Sequence, residues 1–210
     1  VAVLNLTINQ SDTSFTNVTT CDSYSWGDST YTQSGTYSSN VSNNNFSMSF
    51  DGIDDYVQSI NTISLGLERA ICFWAKIPQA GMNVNPSINA ISLSDDFNIT
   101  FGDWGNNSIG KIALHRFSKW IAFDAIDDGQ WHFYCFRALD GNSSSIELFI
   151  DGNLVPPSIS NGFYYNISNS HFDFGNGKSG GNIFDGFLDE ISVWDEILTQ
   201  QEIQQYMNCP

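Results

Sequence analysis

The sequence predicts an all-β fold, an antiparallel two-sheet sandwich or jelly roll closed by one short C-terminal helix. Three observations carry that expectation. Runs of strand length rich in β-branched and aromatic residues recur along the chain: "VAVLNLTI" (1–8), "AICFWAKI" (70–77), "KIALHRF" (111–117), "WHFYCFRAL" (131–139), "SIELFI" (145–150) and "FLDEISVW" (187–194). Between them lie clusters of Gly, Asn, Asp and Ser such as "GDWGNNSIG" (102–110) and "FGNGKSGGN" (174–182), the residues whose backbone preferences suit turns. Helical spacing appears convincingly once, at "LTQQEIQQYM" (198–207).

Taken in order, residues 1–44 form a first unit, rich in Ser and Thr and poor in aliphatic side chains, in which Trp26, Tyr31 and Tyr37 could line a small β piece. So thin a core predicts that this unit leans on a neighbour. Residues 45–210 form the second unit. Within it, Ile146, Leu148 and Ile150 share one strand face, and Asp151-Gly152 supplies the positive φ angles of a tight hairpin turn. Glu147 and Phe149 point the other way and are expected half exposed. At the C-terminal helix, Thr199 caps, Glu202 completes the capping box, and Leu198 staples to Ile203; Ile203, Tyr206 and Met207 then pack onto the sandwich.

Composition narrows the function classes. With 41% hydrophobic and 14% aromatic residues, the chain has the apolar surface to fold. Its 7 basic and 23 acidic residues give a net charge of −16, which repels phosphate backbones and argues against nucleic acid as a partner. No uninterrupted apolar stretch reaches the roughly 18 residues of a membrane helix. The opening "VAVLNLTIN" lacks the charged and apolar regions of a signal peptide and reads as a strand cut from a larger exported protein. Cys21, Cys72, Cys135 and Cys209 are widely spaced without a C-x-x-C pair, so zinc and thioredoxin-like motifs are absent. Their three possible pairings stay open, with Cys72–Cys135 favoured by apolar strand context and Cys21–Cys209 left at the termini; buried free thiols are the alternative for the first two.

Three segments in order, "MSFDGIDDYVQ" (48–58), "DGQWHFYCFRA" (128–138) with "ELFIDGNLV" (147–155), and "FDGFLDEISVWDEILTQQEIQQYM" (184–207), resemble the laminin G-like family of concanavalin A-like jelly rolls. The resemblance spans about residues 46 to 207. It implies a concanavalin A-like two-sheet jelly roll, a fold that hosts binding modules and enzymes alike. Upstream, "CDSYSW" (21–26) and "YTQSGTY" (31–37) resemble Thr-rich repeats of large bacterial exported surface proteins, with "VSNNNFSM" (41–48) standing where a second cysteine usually follows.

The candidate sites follow from these readings. Asp51, Asp54 and Asp55 around Gly52 read first as a turn whose carboxylates accept local backbone N–H groups, and second as part of a calcium site, which needs six to eight oxygens. The resemblance implies one structural calcium between an early turn and the last strand, with Asp189 as carboxylate ligand and Asp51 or Gly52 contributing oxygens. The carboxylate series of jelly-roll glycosidases does not occur in "LDEISVWDE" (188–196), and His115, His132 and His171 sit in no nucleophile motif, so no catalytic residue is assigned. Trp104, Trp120, Tyr164 and Tyr165 lie in or near loop-like contexts and are the candidate sugar-stacking residues, set against the general tendency of Trp to be core. The reading is a non-catalytic, secreted or surface-exposed recognition and adhesion module of a larger protein, binding a glycan or surface glycoconjugate with a structural Ca²⁺. A carbohydrate-active hydrolase or lyase and a structural spacer are the alternatives.

Overall fold

A computed structural model describes residues 24–26, 29–31, 47–78, 88–93, 97–102, 110–116, 119–126, 128–140, 145–160, 167–175 and 183–208. The predicted strand at 1–8, the 44/45 boundary, Cys21, Cys209, Trp104, Tyr164 and Tyr165 lie outside these residues. Before residue 47 the described structure is one antiparallel hairpin, β1 (Tyr24–Trp26) with β2 (Ser29–Tyr31).

Short strands follow along the chain: β3 (Met48–Asp51), β4 (Val57–Gln58), β5 (Ile63–Leu65), β6 (Arg69–Lys76), β7 (Ile88–Leu93), β8 (Phe97–Phe101), β9 (Lys111–Arg116) and β10 (Lys119–Asp124). After them come β11 (Trp131–Ala138), β12 (Ile146–Ile150), β13 (Asn153–Val155), β14 (Pro157–Ser160), β15 (Ile167–Ser170), β16 (Phe172–Phe174), β17 (Asp185–Trp194) and the helix α1 (Gln200–Asn208). A six-stranded sheet runs β13-β12-β11-β6-β17-β3 and a seven-stranded sheet β14-β10-β9-β8-β7-β16-β4, all pairs antiparallel, with β5 and β15 paired separately. This is the two-sheet jelly-roll sandwich that the strand pattern predicts. The closing strand β17 lies beside β3, with Leu188 opposite Met48 and Asp185 opposite Asp51.

The core is built by alternation. Inward residues Ile71, Phe73 and Ala75 of β6, Tyr134 and Phe136 of β11, and Leu148 and Ile150 of β12 meet Ile91, Ile99, Ile112, Leu114, Ile121 and Phe123 of the other sheet in one buried cluster. Both sheets end where the chain crosses between them, from β3 to β4 through the turn at 51–55 and from β13 to β14 at Pro156.

A second buried cluster lies on the outer side of the six-stranded sheet. There Ala70, Cys72, Phe133, Cys135 and Phe149 pack under Leu198 and Ile203, with Trp194, Tyr206 and Met207 at the margin. The helix is fixed there by its capping box: Glu202 Oε2 accepts the Thr199 N–H at 2.7 Å, and Thr199 Oγ1 accepts the Glu202 N–H at 3.2 Å. Arg137 bonds Glu147 and donates to the Leu198 carbonyl at 2.8 Å, while Gln200 and Gln204 donate to the Gly152 carbonyl. The hairpin turn forms as its residues require, with φ of 50° at Asp151 and 72° at Gly152. One expectation fails here: Phe149 is 1% exposed, because α1 turns the outward face of β12 into core. Cys72 and Cys135 face each other across β6 and β11 and form a disulfide inside this cluster. Among the described residues no helix is long and apolar enough to cross a membrane.

Candidate functional site

On the outer side of the seven-stranded sheet, directly opposed residues line up across six strands: Gln58 of β4, Asp173 of β16, Ser92 of β7, Asn98 of β8, His115 of β9 and Trp120 of β10. Opposed residues of antiparallel strands share a face. Their chain neighbours Val57, Phe172, Phe174, Ile91, Ile99, Leu114 and Ile121 point into or against the core, so the period of two turns this row outward. At the usual strand spacing the row is about 24 Å long.

The row is polar, and much of it is buried. Gln58 is exposed and Asn98 and Trp120 are half-buried, whereas Asp173, Ser92 and His115 are 4%, 1% and 5% exposed. Gln58 Nε2 donates to Asp173 Oδ1 at 2.7 Å, and Ser92 Oγ donates to Asn98 Oδ1 at 2.6 Å. Beside it runs a second row, Asn89, Thr100, Ala113 and Ala122, whose alanines keep the floor low next to His115 and Trp120. Asn89 is 6% exposed, and its side-chain oxygen has no hydrogen-bond partner among the described residues. Leaving a buried acceptor unmet costs about 1–3 kcal/mol, which a buried water would recover. Lys111 and Asp124 pair at the far border.

Of the four aromatic residues expected to contact ligand, Trp120 is the one among the described residues, and it stands at one end of the row. The other members escaped sequence reasoning. Each strand shows its alternation locally, as in "FNIT" and "ALHR", but only the register brings the outward residues together.

The expected metal set is not assembled. Asp51 opposes Asp185, and a Cβ on Gly52 would sit 3.1 Å from the Asp185 Cβ, so the antiparallel register places Asp189 four residues further along β17. That is about 13 Å away. Asp189 instead accepts the Glu190 N–H at 2.9 Å, where a β-bulge puts Glu190 at φ 48°. Burial pushes the Asp189 carboxyl above the usual carboxylate range; burial also raises Glu190, helped by the Asp189 charge.

The turn itself does gather carboxylates. Asp51, Asp54 and Asp55 each offer an oxygen, all within 4.8 Å of one another. Calcium binds oxygens at 2.3–2.6 Å, so ligands on opposite sides of one ion stand up to about 5 Å apart, and the three fit around a single ion. Two already serve the turn, Asp51 Oδ1 accepting the Ile53 N–H at 2.8 Å and Asp55 Oδ2 the Asp51 N–H at 3.2 Å. The turn and the partial cation site are thus the same three side chains.

His132 occupies a third polar constellation. Its Nδ1 lies 2.8 Å from Asp151 Oδ2 and its Nε2 3.0 Å from Asp128 Oδ1, while Asp151 Oδ1 accepts the Phe133 N–H. Burial opposes the imidazolium, but the two carboxylates outweigh it and raise the His132 pKa above the ordinary 6.5.

A family model described as concanavalin A-like lectin/glucanases superfamily matches residues 50–204. Neuronal pentraxin-2 from Cavia porcellus and from Homo sapiens is 26% identical over 149 residues, 66% of this chain. The chain spans about a third of the length of these curated relatives, 34% and 33% respectively. Among solved structures, a heptameric SAP-like pentraxin from Limulus polyphemus matches with TM-score 0.54 at 19% identity, over 74% of this chain and 78% of that one. Domain 4 of an extracellular arabinanase from Geobacillus stearothermophilus, in complex with arabinotriose, matches with TM-score 0.58 at 16% identity, over 77% and 76%. A botulinum neurotoxin serotype D binding domain matches with TM-score 0.52 at 14% identity, over 77% of this chain and 42% of that one.

Proposed function

The chain belongs to the concanavalin A-like lectin/glucanase superfamily, and on that premise we propose that it is a non-catalytic recognition module binding carbohydrate along the outer face of its seven-stranded sheet. The observation that carries this reading is the polar row from Gln58 to Trp120. Its accessible members, the amides of Gln58 and Asn98 and the indole of Trp120, suit an amphipathic sugar chain, whose hydroxyls bond the amides while its C–H faces stack on the ring. Binding is favoured over hydrolysis because glycosidases flank the scissile bond with two carboxyl groups, whereas the acid of this row, Asp173, is held by Gln58.

In the same reading, Asp51, Asp54 and Asp55 hold a structural calcium that stiffens the crossover from β3 to β4, with further oxygens from backbone or water. The module works outside the cell, where a disulfide such as Cys72–Cys135 persists, as part of a larger adhesive protein. Tandem presentation would multiply a modest single-site affinity.

Calorimetric titration of the wild type and Trp120→Ala with neutral arabino-, xylo- and gluco-oligosaccharides, with and without EDTA, tests the reading. Saturable binding without product release, weakened tenfold or more in the variant, is expected. Equal affinity in both proteins would remove the site; released sugar would make the protein an enzyme. A melting temperature indifferent to calcium in the wild type and in Asp54→Asn would end the metal assignment.

A further inference from the structure

Helix α1 covers only part of the outer side of the six-stranded sheet, over Ala70, Cys72, Phe133, Cys135 and Phe149. At its margin runs a cross-strand row of Asp189, Trp74 and the covered Phe133, and beyond that along the strands a second, Phe187, Lys76 and Trp131. Phe133 is buried and forms the floor, whereas Trp131 is 36% exposed and Phe187, Lys76, Trp74 and Asp189 are half-buried. The Trp131 and Phe187 rings lean toward each other over Lys76, 6.2 Å between centroids. At the border the bulge holds Glu190 in the left-handed region, a conformation uncommon for a residue with a long side chain, next to Asp189. Bulges of this kind recur where a strand re-aims side chains beside a site.

Size and charge select the occupant. The two rows span about 10 Å across the strands and 7 Å along them, far below the roughly 800 Å² per partner of a stable protein interface. A ligand of one ring fits. An anion would meet Asp189 and Glu190, and a cation would meet Lys76, whereas a neutral polyhydroxylated ring can stack on aromatic surface while offering hydroxyls to both signs of charge.

We infer that this patch is a second carbohydrate subsite, taking one neutral sugar ring on the Trp131–Phe187 pair with hydroxyls bonded to Lys76 and Asp189. It rests on the glycan reading above and extends it. The two outer faces are separated by the thickness of the sandwich, whose sheets alone pack about 10 Å apart. A short oligosaccharide therefore engages one face at a time, and the domain bridges two glycan chains.

The same oligosaccharides, titrated by calorimetry and by amide NMR into wild type, Trp131→Ala, Phe187→Ala and Trp120→Ala, separate the two sites. Two binding events per chain are expected in the wild type. Trp131→Ala and Phe187→Ala should each weaken one event tenfold or more and leave the Trp120-dependent event; retained amide spectra exclude misfolding, and Phe187→Ala carries the test if Trp131→Ala fails to fold. A single event unchanged in both variants overturns the second subsite and leaves the proposed function standing. Binding lost in Trp131→Ala and Phe187→Ala but untouched in Trp120→Ala supports this subsite and removes the first site. No saturable binding of the wild type to any of these sugars overturns both.

Discussion

The two sheets share one core but treat their outer faces oppositely. On the six-stranded sheet the outward residues Ala70, Cys72, Phe133, Cys135 and Phe149 are as buried as the inward ones. On the seven-stranded sheet the buried outward residues include Asp173, Ser92, Thr100 and His115. Burying apolar surface on both sides stabilises the first sheet, whereas burying polar groups costs free energy unless partners meet them. The first sheet is therefore the structural spine. The second carries buried polar groups that must be met by partners to hold their places.

The largest effect that would break this comparison is expected at Phe149. If the helix-covered face is core, Phe149→Ala should destabilise the fold by about 3–5 kcal/mol in urea denaturation. A loss near that of a surface change would show the helix side to be no second core.

Next in size is the disulfide. Closing a 63-residue separation stabilises by about 4 kcal/mol if chain entropy alone acts. Melting of the wild type against Cys72→Ser/Cys135→Ser should show a drop of several degrees, and thiol titration of the unfolded wild type should find neither cysteine free.

The smallest effect sharpens the picture at the start of β11, where His132 joins Asp128 near the strand to Asp151 in the hairpin turn. Its folded pKa is raised, so this stabilisation is fully present below the unfolded value near 6.5 and is lost as pH climbs through the folded value. Exposed pairs contribute on the order of 1 kcal/mol or less. Unfolding free energy measured on both sides of neutrality should decline with rising pH in the wild type and lose that decline in His132→Gln. An unchanged slope would mean that the imidazole bridges nothing in solution.

The same contrast explains what was legible in the sequence. "AICFWAKI", "WHFYCFRAL" and "SIELFI" are apolar on successive positions because helix and core cover both faces, so β6, β11 and β12 are visible as strands without a partner in view. The capping box and the Asp-Gly turn are local signals and hold in place. Strands such as "INAISL", "FNITF" and "FDF" place Asn, Ser, Thr or Asp at every outward position and pass for loop composition. Trp120 was readable as a ligand candidate by its chemistry alone, but Ser92, Asn98, His115 and Asp173 acquire meaning only through register. Register also spaces Asp189 along β17 away from the Asp51 turn, and nothing in "GFLDE" says that its partner across the ladder is the segment before, not after, that turn.

Among the described residues, both sheets finish in stubs. Their outermost strands, β3, β4, β13 and β14, hold 4, 2, 3 and 4 residues, and Pro156 and Pro157 sit at one corner. Molecules crowded against one another thus find little bare ladder on which to splice their sheets together. Short borders of this kind work against edge-to-edge fibril growth.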